Sequence, residues 1–155
     1  MSKIGLREVK LINWYGFINE NIPLSENMTL ITGENESGKS TILDAIKYAY
    51  TGDYKFNEAT SKNNTGTGKR NLVSYTRCLL DPSAGIYARP ADKMPSVFTH
   101  IALEYYDEIN QSSFVLGVVL ETAAADIKTS ELYYLCRWWL ESCISYGSKP
   151  SLDCR

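Results

Sequence analysis

The chain has few of the residues that build metal centres or disulfide scaffolds. It has four cysteines, Cys78, Cys136, Cys143 and Cys154, and a single histidine, His100. No two cysteines stand in C-x-x-C spacing, so neither a zinc site nor a dithiol redox pair is indicated. Free thiols in a reducing cytoplasm are the expectation. Charge of one sign is also missing. Sixteen Lys and Arg face eighteen Asp and Glu, a net charge of −2, so any contact with DNA has to come from a local patch. No apolar run reaches the roughly 18 residues that would suggest a membrane-spanning helix. Met1 to Val9 alternates charged and apolar residues, unlike the apolar heart of a secretory signal. No segment repeats.

What is present suits one folded domain: 155 residues with a hydrophobic fraction of 44%, ordinary for a globular protein. Ile4 to Trp14 reads as a strand, with Leu6, Val9, Leu11 and Ile12 apolar between charged neighbours. Gly16 marks a turn, Ile18 to Leu24 a second short strand, and Met28 to Thr32 a third that runs into Gly33. From Lys39 the period changes. Ile42, Leu43, Ala45, Ile46, Ala49 and Tyr50 recur at helical spacing, and Gly52 stands where a helix stops. Ser61 to Gly68 is polar and glycine-bearing, a loop. Asn71 to Leu80 fits a short helix or a strand. Val97 to Tyr106 and Phe114 to Thr122 read as an antiparallel hairpin around Asp107 to Ser113. The last thirty or so residues are rich in aromatics, including Tyr133, Tyr134, Trp138 and Trp139, and fit no clean period.

Gly33-Glu34-Asn35-Glu36-Ser37-Gly38-Lys39-Ser40 matches G-x-x-x-x-G-K-[ST] at every fixed position. Average residue frequencies produce this match by chance in roughly half a percent of chains of this length. The strand expected before it and the helix after it are the context that the motif requires. Each residue type has a physical task. Glycines open backbone angles closed to other residues and turn N–H groups inward around an anion. The helix presents its partial positive end to phosphates. Lys39 adds a mobile charge, Ser40 offers a hydroxyl to Mg²⁺, and Thr41 is a further contact to the α phosphate. The expected ligands are ATP and Mg²⁺, with residues 33–41 as the phosphate cradle. No N-K-x-D motif for guanine recognition is present.

A wider stretch narrows the choice. Leu11 to Phe17, then Leu30-Ile31-Thr32, then GENESGKSTILDAI from Gly33 to Ile46 resembles the N-terminal head segment of SMC-like ATPases. That group includes the MukB, SbcC, RecF and RecN types. Asp44-Ala45 is the Asp-Ala pair of their P-loop helix. Asn13 to Phe17, Phe56 to Ala59 and Arg70 to Tyr75 look closest to the MukB-like subunit of Wadjet-type plasmid-defence systems. The resemblance implies that Asn35 lies near the γ phosphate and that Trp14 to Phe17 approaches base and ribose. Trp14 and Phe17 could equally fill the core. Glu36 replaces the usual glycine, at a position the general motif leaves variable.

The resemblance also implies parts that the chain lacks, a Walker B strand ending in Asp-Glu and a signature rich in Ser and Gly, both supplied by a C-terminal lobe. Ile101 to Glu108 imitates a Walker B strand, but Glu104 interrupts its apolar run and Glu108 suits a hairpin tip. Glu108 is the one catalytic candidate. Lys62, Lys69 and Arg70 form a small basic group for weak DNA contact, His100 has a structural role, and Cys78 is a small buried or half-buried side chain.

The sequence therefore predicts an α/β fold: a P-loop NTPase lobe of the ABC/SMC N-terminal type, with a mixed, partly antiparallel sheet around the P-loop helix. Residues 1–122 form the lobe and 123–155 a C-terminal segment of uncertain structure, as in a truncated gene product. The predicted function is ATP·Mg²⁺ binding for DNA repair, chromosome organisation or plasmid defence, with little or no hydrolysis by the chain alone. Its partners are a C-terminal head lobe or a second head. A small independent P-loop kinase and a non-catalytic interaction module are the rivals.

Overall fold

The computed structural model describes residues 4–53, 56, 71–123 and 129–136. Five strands form one sheet in the order β2-β1-β5-β6-β7, comprising β1 (Ile4–Trp14), β2 (Phe17–Pro23), β5 (Ser96–Asp107), β6 (Ser112–Ala123) and β7 (Thr129–Cys136). Every pairing in it is antiparallel. A two-stranded ribbon, β3 (Leu79–Asp81) with β4 (Ile86–Tyr87), stands apart from it in the pairing scheme. The helices are α1 (Lys39–Thr51) and α2 (Leu72–Thr76).

Side chains alternate across a strand, and this divides the sheet into two faces. Val9 and Leu11 of β1, Ile101 and Leu103 of β5, and Val118 and Leu120 of β6 all pack in one core with Ala45, Tyr48 and Ala49 of α1. The helix presents Thr41, Asp44, Ala45, Tyr48 and Ala49 as its buried residues, the spacing of one helical face. The expected helix is therefore present, but its buried stripe includes two polar residues, while Leu43 and Tyr50 lie on the exposed side. Gly52 closes it in the left-handed conformation, at φ 64°, with its N–H donating to Tyr48 O at 2.8 Å. A side chain there would be strained.

Trp14 is fully buried at the end of β1, with its ring 4.7 Å from Tyr75, 5.8 Å from Phe56 and 6.1 Å from Tyr48 between centroids. The segment Asn71 to Leu80, ambiguous in sequence, holds the helix α2 and the start of β3. Asn71 caps α2 by accepting from Ser74 N, and Ser74 Oγ accepts from Asn71 N in return. Two buried arginines fasten the chain beyond it. Arg77 donates to Arg89 O, Met94 O and Thr122 O, and Arg89 donates to Tyr15 O and Thr76 O.

Three expectations change. Met28 to Thr32 forms no strand. It has no sheet neighbour among the described residues, and Met28 and Leu30 are each 80% exposed. The turn of the β5–β6 hairpin is shorter than expected, spanning 108–111, because Asp107 pairs with Ser112. Residues 129–136, which showed no clean period, pair with β6 as the fifth strand, so the sheet continues past residue 122. The loop 61–68, Lys62, Lys69, Arg70, Trp138, Trp139, Cys143 and Cys154 lie outside the described residues.

Candidate functional site: the phosphate loop

The loop from Gly33 to Gly38 leads directly into α1. Gly33, Glu36 and Gly38 take φ values of 154°, 64° and 94°. Glycine is demanded at both ends of the loop. A Cβ on Gly33 would stand 2.6 Å from Ser37 Oγ, and one on Gly38 3.0 Å from the Phe17 ring. Glu36 adopts its positive φ without that freedom, a strain of about 1–3 kcal/mol held in place by the loop.

Gly38 is the N-cap of α1, and no side chain caps the helix. The first intrahelical bond in this turn runs from Ile42 N to Gly38 O at 3.0 Å. The N–H groups of Lys39, Ser40 and Thr41 therefore have no intrahelical carbonyl, and they concentrate the positive end of the helix dipole at the loop. That donor set fits a phosphate chain. Lys39 Nζ lies over the loop, donating to Gly33 O at 2.8 Å, Glu34 O at 2.5 Å and Ser37 Oγ at 3.3 Å. Glu34, Asn35, Glu36 and Ser40 are exposed, so their polar groups face outward. Thr41 differs, being buried with 8% exposure. Its carbonyl accepts from Trp14 Nε1 at 2.9 Å, so its clearest role in the fold is to fasten the helix to the β1–β2 turn.

Behind the loop the helix is anchored twice. Trp14 holds Thr41, and Tyr75 donates to Asp44 Oδ2 at 2.5 Å inside the core. Phe17 packs against Gly38 from the same turn. Of the two aromatic residues expected near base or core, Trp14 is core, and Phe17 is half-buried against the loop. The Tyr75–Asp44 bond had no signal in the sequence beyond the Asp-Ala pair and a tyrosine thirty-one positions later.

Glu108 is far from all this. Asp107, its neighbour, pairs with Ile4 at the start of β1, whereas the phosphate loop sits by Trp14 at the end of it. Ten residues of strand at about 3.4 Å each separate the two ends by roughly 30 Å. Glu108 sits in the hairpin turn, where Asp107 Oδ1 accepts from Ile109 N and Asn110 N. The bonds from the Asn110 side chain and backbone hold the Asp107 carboxyl below its usual range. Glu108 therefore lies in the hairpin turn, the exposed tip that the interrupted run at Glu104 suggested, and not beside the phosphate loop. β5 ends in a turn at the wrong end of the sheet. No group of three or more metal-ligating side chains is found among the described residues. No helix among them is long and apolar enough to cross a membrane.

Loop, helix and sheet together define a P-loop nucleotide-binding lobe of the α/β class, its sheet antiparallel at every pairing among the described residues. Comparison with known proteins places the similarity in the same stretch. Residues 6–63 match the family described as P-loop containing region of AAA domain. The DNA replication and repair protein RecF of Brucella abortus (strain 2308) is 32% identical over 51 residues, and RecF of Brucella suis biovar 1 and of Brucella melitensis biotype 1 match equally. The matched stretch is 33% of this chain and only 13% of each relative. The P-loop region is thus an ATP-binding element similar to a segment of RecF.

Proposed function

We propose that the chain is the nucleotide-binding lobe of an SMC-like ATPase head, and that it holds ATP·Mg²⁺ through residues 33–41. The observation that carries this reading is the cradle itself. Glycines stand where a Cβ would collide, and uncapped N–H groups of α1 face the loop beside the Lys39 ammonium. Backbone N–H groups from Gly33 to Thr41 would hold the phosphates, Lys39 would exchange its loop carbonyls for phosphate oxygens, and exposed Ser40 would contribute its hydroxyl to the metal. Mg²⁺, when bound, neutralises charge on the phosphates.

A partner lobe is part of the proposal. Met28 and Leu30, each 80% exposed shortly before Gly33, are the kind of apolar surface that a neighbouring lobe covers. A C-terminal head lobe, or a second head, would provide it together with the groups that activate water. Service to DNA repair, chromosome organisation or plasmid defence belongs to the same reading. The finer likeness to the MukB-like subunit of Wadjet-type systems rests on the phrases around Trp14, Phe56 and Tyr75.

Titration calorimetry of ATP·Mg²⁺ against the chain and its Lys39→Ala variant tests the assignment. A charge-assisted contact to phosphate contributes about 1.5–3 kcal/mol, so at least tenfold weaker binding is expected. Equal affinities would remove the assignment.

A further inference from the structure

The phosphate loop carries acid where a cradle for anions needs none. Residues 33–41 contain two carboxylates, Glu34 and Glu36, and one cation, Lys39, a formal charge of −1. Neither glutamate has an ion-pair partner among the described residues, whose ion pairs join Arg7 to Glu26 and Lys47 to Asp53. Lys39 Nζ donates to Gly33 O, Glu34 O and Ser37 Oγ instead of to either carboxylate. Both glutamates are exposed.

Glu36 is the sharper case because of its backbone. It takes φ 64°, an angle that glycine adopts without strain. A residue with a Cβ holds that angle only where the surrounding structure over-determines it. Glycine would give the same loop with no charge, so the carboxylate stands beside the anion site in spite of its own backbone.

Its distance from a bound phosphate follows from the chain. Gly38 is the N-cap of α1, where free N–H groups await phosphate oxygens. Two residues separate Glu36 from Gly38, a reach of at most about 7 Å. Charges that close lie within the Debye length, about 8 Å at physiological ionic strength. In water each pair of like unit charges at that range weakens association about twofold at low salt. Free ATP carries about four negative charges and its Mg²⁺ complex about two, because the metal neutralises phosphate charge.

Resting on the nucleotide reading above, we propose that Glu36 is a specificity-determining residue that sets a charge limit on the ligand. Its carboxylate repels the polyphosphate, so affinity falls as the ligand's own net charge rises, and a neutral residue at 36 lifts the limit.

The test is titration calorimetry of the chain with ATP in excess EDTA and with ATP·Mg²⁺, at about 0.01 M salt, where the Debye length is about 30 Å. Glu36→Gln removes the charge from an exposed side chain and keeps the backbone. It should tighten free ATP by about tenfold or more and ATP·Mg²⁺ by about fourfold, narrowing the gap between them at least twofold. Glu36→Asp retains the charge and should keep the parent's gap within about twofold. The difference between parent and Glu36→Gln should vanish near 1 M salt, where the Debye length is about 3 Å. A merely structural role for Glu36 would show no such salt dependence. Lys39→Ala separates this inference from the reading beneath it: ATP·Mg²⁺ binding that this variant weakens upholds the nucleotide site whatever Glu36 does. Within that result, an unchanged gap in Glu36→Gln, or a difference from the parent that persists at 1 M salt, would overturn the charge limit. No binding of either form to the parent or to Glu36→Gln would remove the nucleotide reading and the charge limit together.

Discussion

Two apolar stretches of this chain read alike in sequence and behave in opposite ways. Val118 and Leu120 of β6 are fully buried, whereas Met28 and Leu30, before the phosphate loop, are 80% exposed. Composition does not separate them, and neighbours do. β6 lies between β5 and β7 and beneath α1, so its backbone groups and its core-facing side chains are covered. Met28 to Thr32 has no strand beside it among the described residues. The antiparallel sheet is thus a self-sufficient platform, and the segment that carries the phosphate loop is fastened to it mainly at the far side, through Trp14, Phe17 and Asp44. A nucleotide site built in this way has one rigid wall and one open flank.

The largest expected effect separates the wall from the flank. Trp14 packs against Tyr48, Phe56 and Tyr75 and donates to Thr41 O. Trp14→Ala should cost about 3–5 kcal/mol of stability, and Leu30→Ala should stay within about 0.5 kcal/mol. Urea unfolding of both variants measures this directly. A large loss in Leu30→Ala would mean that the flank is packed after all. A smaller effect is expected one layer deeper in the anchor. Tyr75→Phe removes the donor to Asp44 and leaves a carboxylate buried without it, a cost of about 1–3 kcal/mol. A neutral outcome in the same unfolding series would show that Asp44 finds another partner.

The sequence made the platform and the loop legible for different reasons. The phosphate loop is a local motif whose glycines, lysine and serine act within eight residues, so spacing alone revealed it. β1, β2, α1, β5 and β6 followed from period and punctuation. β7 escaped because Ser130 to Leu135 mixes polar and aromatic residues, and its pairing to β6 is decided by the partner strand. Met28 to Thr32 misled for the converse reason. Its residues favour a strand, but a strand exists only when something pairs with it. The arginine staples depend on contacts between residues up to 74 positions apart, which no window along the chain can show.

A third contrast lies between the two sheet faces and can be read by pH. On the face beneath α1 the buried groups are mostly apolar, whereas the opposite face buries His100, whose pKa is lowered by desolvation. The ordinary value in an unfolded chain is about 6.5. Below it the unfolded state takes up a proton that the folded state resists, so stability is fully present above about pH 6.5 and declines as pH falls toward the lower folded value. Urea midpoints between about pH 7 and pH 5.5 should fall for the parent chain. His100→Phe should flatten that decline, and an unchanged slope would show that other groups govern it.

The smallest effect is expected at Glu108, and its smallness is informative because the same sheet carries both sites. If Ile101 to Glu108 were a Walker B strand, Glu108 would face the γ phosphate and its removal would stop hydrolysis. In this fold β5 runs antiparallel to β1, so the end that bears Glu108 meets Ile4, about 30 Å from the loop beside Trp14. No side chain reaches across that distance. Hydrolysis needs a group that positions water and donors that stabilise charge on the γ phosphate, and we propose that a partner lobe supplies both. The isolated chain should therefore release phosphate no faster than a few-fold above buffer, and Glu108→Gln should leave both that rate and ATP affinity unchanged within about twofold, a difference of roughly 0.4 kcal/mol. Steady-state phosphate release from both proteins decides the matter. Turnover near 1 s⁻¹ that vanishes in Glu108→Gln, a rate typical of a competent enzyme, would mean that the hairpin tip reaches a phosphate after all and that the platform has two working ends.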